Sequence, residues 1–91
     1  MTKMIVTAQV QDIAKWEQTF RTHIELFRSY TTKSVQYGIA NGNTVGVCFE
    51  VEDAATALKA LQSQATAEAM GADGVLPETA RILILDKDVK L

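Results

Sequence analysis

Residues that carry most enzymatic and metal chemistry are scarce in this chain. It has one cysteine and one histidine in 91 residues. A lone cysteine cannot close an internal disulfide. With a single histidine and dispersed carboxylates, it also offers no recognised spacing for zinc or another transition metal. The basic residues are scattered from Lys3 to Lys90 and the formal net charge is -2. No stripe of lysine or arginine exists to neutralise successive phosphates, so nucleic acid is not an expected partner. The longest apolar run, Ile82-Leu83-Ile84-Leu85, is far too short to span a bilayer, so no membrane association is expected. The segment Met1-Thr2-Lys3-Met4-Ile5-Val6 lacks the apolar core and small-residue cleavage site of a secretory signal, and a cytoplasmic location is the expectation. Gly38, Gly42 and Gly46 do not form a phosphate-cradling loop ahead of a helix, and there is no nucleophile elbow. No cofactor is expected.

What remains is an ordinary globular composition, 47% apolar and 22% charged, which argues against disorder. The length fits one domain, residues 1–91. A chain this short buries only about 60–65% of its unfolded surface, so a lone protomer would be marginal.

Along the chain, Met4, Val6, Ala8 and Val10 alternate with Ile5, Thr7 and Gln9, which predicts a strand over 3–10. Asp12 is placed to cap a helix, because its carboxylate can accept from free backbone N–H groups. Ile13, Trp16, Phe20, Ile24 and Phe27 recur every three or four residues and predict one helix from about Ile13 to Tyr30. Residues 33–51 read as a hairpin around Asn41-Gly42-Asn43, where Asn-Gly tolerates positive φ. A three-residue loop there pairs Tyr37 with Val47 and Val35 with Phe49, gathering the large apolar side chains on one face. Asp53 caps a second helix whose inward stripe is Ala54, Ala57, Leu58 and Leu61. A further turn or two follows at Ala65–Met70, stopped by Gly71-Ala72-Asp73-Gly74. Thr79–Asp86 is the last strand, apolar on both faces and therefore expected to be covered on both. The tail, Lys87–Leu91, reads as a frayed end or an interface arm.

The order β-α-β-β-α-β predicts an α+β, ferredoxin-like fold: a four-stranded antiparallel sheet with both helices on one face. That arrangement leaves the other face bare, with Ile5, Leu83 and Leu85 or their opposite-parity neighbours on it. An apolar sheet face that the chain cannot cover implies a partner, most simply a second copy in a homodimer.

Lys15-Trp16, Phe20 and His23 stand in the first helix, and Phe49-Glu50-Val51 ends the third strand. Ala67-Glu68-Ala69-Met70 and Gly74-Val75-Leu76-Pro77-Glu78 follow. On these residues the chain resembles, over nearly its whole length, the dimeric α/β-barrel superfamily that includes antibiotic biosynthesis monooxygenase-like proteins and many short members of unknown function. The resemblance implies sheets meeting face to face in a dimeric barrel and a pocket between helices and sheet in each protomer. It also implies either a protein without assigned activity or a cofactor-independent oxygenase or isomerase. The Asn, Trp and His set of the haem-degrading members is not found here.

The candidate site follows from those expectations. His23 lies on the flank of the helical stripe, where an imidazole can act as general base or hydrogen-bond a ligand carbonyl; the plainer reading is a half-buried histidine closing the helix edge. Trp16, Phe20, Phe27, Tyr37 and Phe49 can line a cavity for a small apolar or aromatic ligand, although a stripe at helical spacing is first of all core. The Tyr37 hydroxyl needs a partner if buried. Glu50 matches a position that is often Glu in the family and is a candidate partner of His23 or an arginine; otherwise it is a solvated strand-end carboxylate. Cys48 has no evident activating neighbour and reads as a small strand residue.

Overall fold

A computed structural model describes residues 2–29 and 32–91. Strand β1 (Thr2–Gln9) leads through Asp12 into α1 (Ile13–Phe20) and α2 (Ile24–Ser29). The hairpin β2 (Thr32–Ala40) and β3 (Thr44–Val51) follows, then α3 (Ala54–Leu61) and α4 (Gln64–Ala72). A single turn of 3₁₀ helix, Pro77–Thr79, precedes β4 (Arg81–Leu85). The strands lie in the order β2-β3-β1-β4 with every neighbouring pair antiparallel, which is the ferredoxin-like sheet.

Strand parity decides what the sheet offers on each side. Met4 pairs with Phe49, Val6 with Val47 and Ala8 with Val45, and all six are buried beneath the helices. Trp16 and Phe20 of α1 and Ala57 and Leu61 of α3 close the same core. The hairpin has the expected register, Tyr37 with Val47 and Val35 with Phe49. Its loop holds Gly42 at φ 76° and Asn43 at φ 57°, the left-handed conformation that Gly and Asn adopt at least cost. Both aspartates act as expected: Asp12 accepts from the Lys15 backbone N–H and Asp53 from those of Ala55 and Thr56.

Two expectations need correction. The first helix is not continuous from Ile13. It ends at Phe20, and the expected terminus at Tyr30 lies outside the described residues. The helix tightens as it ends: Thr22 and His23 donate their N–H groups three residues back, to Thr19 and Phe20. The Thr22 hydroxyl also takes the Thr19 carbonyl at 2.6 Å, and the Thr19 hydroxyl takes that of Lys15 at 2.8 Å. Such side-chain bonds compete with the helical ladder, and two threonines so close together break it. The chain restarts where Phe27 N–H donates to the His23 carbonyl. Ile24 consequently leaves the inward stripe and is 54% exposed.

The second correction concerns β4. It begins at Arg81 rather than Thr79, and as the sheet's edge it is exposed on both faces rather than covered. Leu83, paired with Ile5 on the face away from the helices, is 55% exposed and Leu85 is 48% exposed. Among the described residues no helix is long and apolar enough to cross a membrane.

Candidate functional site

The break after α1 determines where His23 goes. In a continuous helix it would sit on the flank of the apolar stripe. At the junction its Nε2 lies 2.9 Å from Oδ1 of Asp73. Asp73 is positioned by the way α4 ends. Gly74, at φ 78°, stops the helix, Val75 N–H returns to the Met70 carbonyl and Gly74 N–H to that of Gly71. This paired closure is the Schellman motif, and Met70 and Val75, the residues joined by its longer bond, line the same cavity. Asp73 is left as the last residue before the glycine, 4% exposed.

The pair faces a small cavity between helices and sheet, about 60 Å³ in volume. Trp16, Phe20, Leu26 and Phe27 form its wall on the helix side, and Val6, Val47 and Phe49 rise from the sheet. Leu61, Met70 and Val75 complete an almost wholly apolar lining in which His23, Thr66 and Asp73 are the polar members. Thr66 does not compete for the histidine, because its hydroxyl donates to the Ala60 carbonyl at 2.6 Å. The aromatic rings form a chain of contacts: Trp16 stacks on Phe20 at 4.7 Å, and tilted pairs follow, Phe20 with Phe27 at 4.9 Å and Phe27 with Phe49 at 5.7 Å between centroids. These spacings fall within the range of favourable aromatic pairs.

Burial pushes the Asp73 carboxyl above its ordinary range, and the hydrogen bond and charge of His23 pull it part of the way back. The chemical consequence lies in the imidazole. When Nε2–H donates to the Asp73 carboxylate, Nδ1 carries the free lone pair and can accept a proton, and the carboxylate stabilises the imidazolium that results. A histidine oriented by a buried acid against an apolar chamber is suited to general acid–base work.

The structure thus brings Trp16, Phe20, His23, Phe27 and Phe49 to one cavity. It does not bring Glu50 there. Phe49 and Val51 point inward, so parity sends Glu50 to the opposite face, beside Lys3 and Ser34. Tyr37 joins the aromatic cluster, 5.5 Å from Trp16 and 5.4 Å from Phe20, yet its hydroxyl is directed outward. It donates to Glu17 Oε2 at 2.5 Å and accepts from Arg21 Nη2 at 2.6 Å. That contact, with the charge of Glu17 behind it, raises the already high pKa of the Arg21 guanidinium.

Sequence reasoning missed Asp73, which reads only as part of a helix stop. A signal was present. An aspartate at a helix C-terminus opposes the helix dipole, and an unfavourable placement of that kind invites the question of what compensates it. Among the described residues no group of three histidine, cysteine or acidic side chains is placed to hold a metal.

No protein-family model matches the chain, and no curated protein matches it in sequence. Solved structures do match in fold. An antibiotic biosynthesis monooxygenase superposes with a TM-score of 0.70 at 12% identity, over 98% of this chain and 100% of the other. SnoaB, a cofactor-independent oxygenase from Streptomyces nogalater, gives 0.74 at 14% identity, over 99% and 95%. A protein of unknown function from Nitrosomonas europaea, NE2512, gives 0.70 at 19% identity, over 99% and 92%.

Proposed function

We propose that this chain, whose fold is that of the antibiotic biosynthesis monooxygenase-like proteins, is a homodimeric α/β-barrel protein that binds a small apolar or aromatic molecule beside His23. The observation that carries this reading is the 2.9 Å bond between His23 and buried Asp73 on the wall of an apolar cavity. Structure of this kind, apolar walls with a few convergent polar groups, is what small-molecule sites share. The dimer reading is supported by the exposed leucines of β4, which continue the apolar surface of Ile5 on the uncovered sheet face. A lone free cysteine, Cys48, suits a reducing cytoplasm.

The same pair favours a second reading, a cofactor-independent enzyme of monooxygenase or isomerase type with His23 as acid/base. His23 Nδ1 would take a proton from an acidic O–H or C–H of the ligand, and Asp73 would hold the ring in place and balance its charge.

The test is a titration of isotopically labelled protein with small phenols and fused-ring aromatics, following the His23 ring resonances. Binding in the cavity shifts them, and His23→Gln weakens it. If no aromatic compound perturbs the ring at millimolar concentration, the binding reading fails. The enzyme reading requires in addition that turnover, followed by oxygen uptake or product mass, be lost in both His23→Gln and Asp73→Asn.

A further inference from the structure

The cavity beside His23 shares its wall with a second space. Phe20 and Phe27 also line an open groove of about 530 Å³ between α2 and β2. The inner chamber, at about 60 Å³, has room for roughly two water molecules. Alone it is too small for a fused-ring ligand, since sites for such molecules run to roughly 300–1,000 Å³. The outer groove has the volume but lacks His23. Together they have both.

The groove's charged lining is of one sign. Arg21, Arg28 and Lys33 border it, while their partners Glu17, Glu25 and Glu52 lie off its surface. Ile24 and Val35 supply apolar surface between the cations. Aromatic rings inside and guanidinium and ammonium groups outside complement a flat molecule with an acidic group at one end.

Of the two dividing rings, Phe20 is held: it is buried in α1 and stacked on Trp16 at 4.7 Å. Phe27 is half-buried and belongs to α2, six residues long and separated from α1 by the break at His23. A helix this short has little stability of its own, so its placement depends on packing and on the His23–Asp73 bond at its start.

We propose that the two spaces are one binding site divided by the Phe27 ring, and that its ligand is an aromatic anion. The ring of the ligand displaces Phe27 and reaches His23, while its acid group remains among Arg21, Arg28 and Lys33. The inference rests on the binding function proposed above and adds to it a gate and a ligand charge.

Naphthoate and its neutral counterpart naphthamide test it, with affinity from calorimetry and the His23 ring resonances as a marker of the inner cavity. Naphthoate binds about tenfold more tightly at low salt, a difference expected of charge-assisted contacts. The preference shrinks at high salt and is reduced at low salt in the double variant Arg28→Gln with Lys33→Gln, which leaves only Arg21 of the three cations. Phe27→Ala removes the displaced ring and tightens both ligands by about tenfold. Should Phe27→Ala fail to fold by circular dichroism, Phe27→Leu takes its place with a smaller gain in the same direction. Equal affinity for the two ligands, or no response to Phe27 substitution, overturns the gate and the anion while His23 shifts leave the binding function standing. Absence of any His23 shift with either ligand, in every variant, overturns both.

Discussion

On the helix side of the sheet, Met4, Val6, Val47, Phe49 and Val51 are buried by elements of the same chain. On the other side, Ile5, Cys48, Leu83 and Leu85 share the surface with Thr7, Gln36 and Glu50, and no described helix covers them. The first face is complete within one protomer and holds the one buried acid–base pair among the described residues. The second has too much apolar surface for a solvated face and too many polar residues for a self-contained core. On the proposed function, proton chemistry falls to the first face and dimer assembly to the second, because a group meant to hold a proton away from water must lie where the protomer itself excludes water.

The largest effect expected is on the complete face. Phe49 touches the core, the cavity and Phe27, and Phe49→Ala should cost about 3–5 kcal/mol in urea unfolding, as for other buried aromatics. A loss below about 1 kcal/mol would show that the wall collapses around the missing ring and that the face is less tightly specified than its burial indicates.

Leu83→Asp tests the other face. It places a charge where the proposed partner sheet would lie, and the mass by light scattering should fall from twice 10.0 kDa to a single chain while the circular dichroism spectrum persists. An unchanged dimer would move the interface elsewhere. A monomer as the starting state of the unsubstituted protein would remove the contrast between the faces altogether.

Gly74→Ala links fold and site at a smaller scale. At φ 78° a side chain is strained, although an added Cβ would meet only Gln11 at 3.8 Å, so the cost is conformational, about 1 kcal/mol. The same change disturbs the closure that seats Asp73. His23 should then lose part of its hydrogen bond, visible as a shift of its ring resonances beyond what the stability loss explains.

How much of this was legible before the structure differs between the faces for a physical reason. Period-two alternation in Met4–Val10 and Val45–Val51 and the Asn-Gly turn led to the correct sheet and the correct hairpin register, since those signals are local. Of the cavity's aromatic members, Trp16, Phe20 and Phe27 followed from helical spacing and Phe49 from strand alternation. The parity that removed Glu50 was already in the alternation of Phe49, Glu50 and Val51, and only the family position had set it aside. What could not be read was non-local. The break after Phe20 depends on two threonine hydroxyls competing for backbone carbonyls, and threonine tolerates a helix interior well enough that no sequence pattern forces it. Asp73 meets His23 from 50 positions along the chain, through two packed elements. Nothing in its neighbours announces that contact.

The smallest effect concerns the proton on Asp73, and its sign can be worked out. Burial lifts its carboxyl above the ordinary 3.8 in the folded chain, whereas the unfolded chain titrates at the ordinary value. Between those two points the folded state holds more protons, so stability falls as pH rises through the window. Below 3.8 both states are protonated and the contribution is fully present; above the folded value it is gone. Asp73→Asn cannot titrate. Its melting temperature relative to the unsubstituted protein should therefore climb from acid pH through the carboxyl range and then level off. A relative melting temperature that instead falls as pH rises would mean that His23 holds the carboxylate more strongly than burial opposes it. The pair would then be an ion pair that stabilises the complete face, and the uncovered face alone would limit the stability of the protomer.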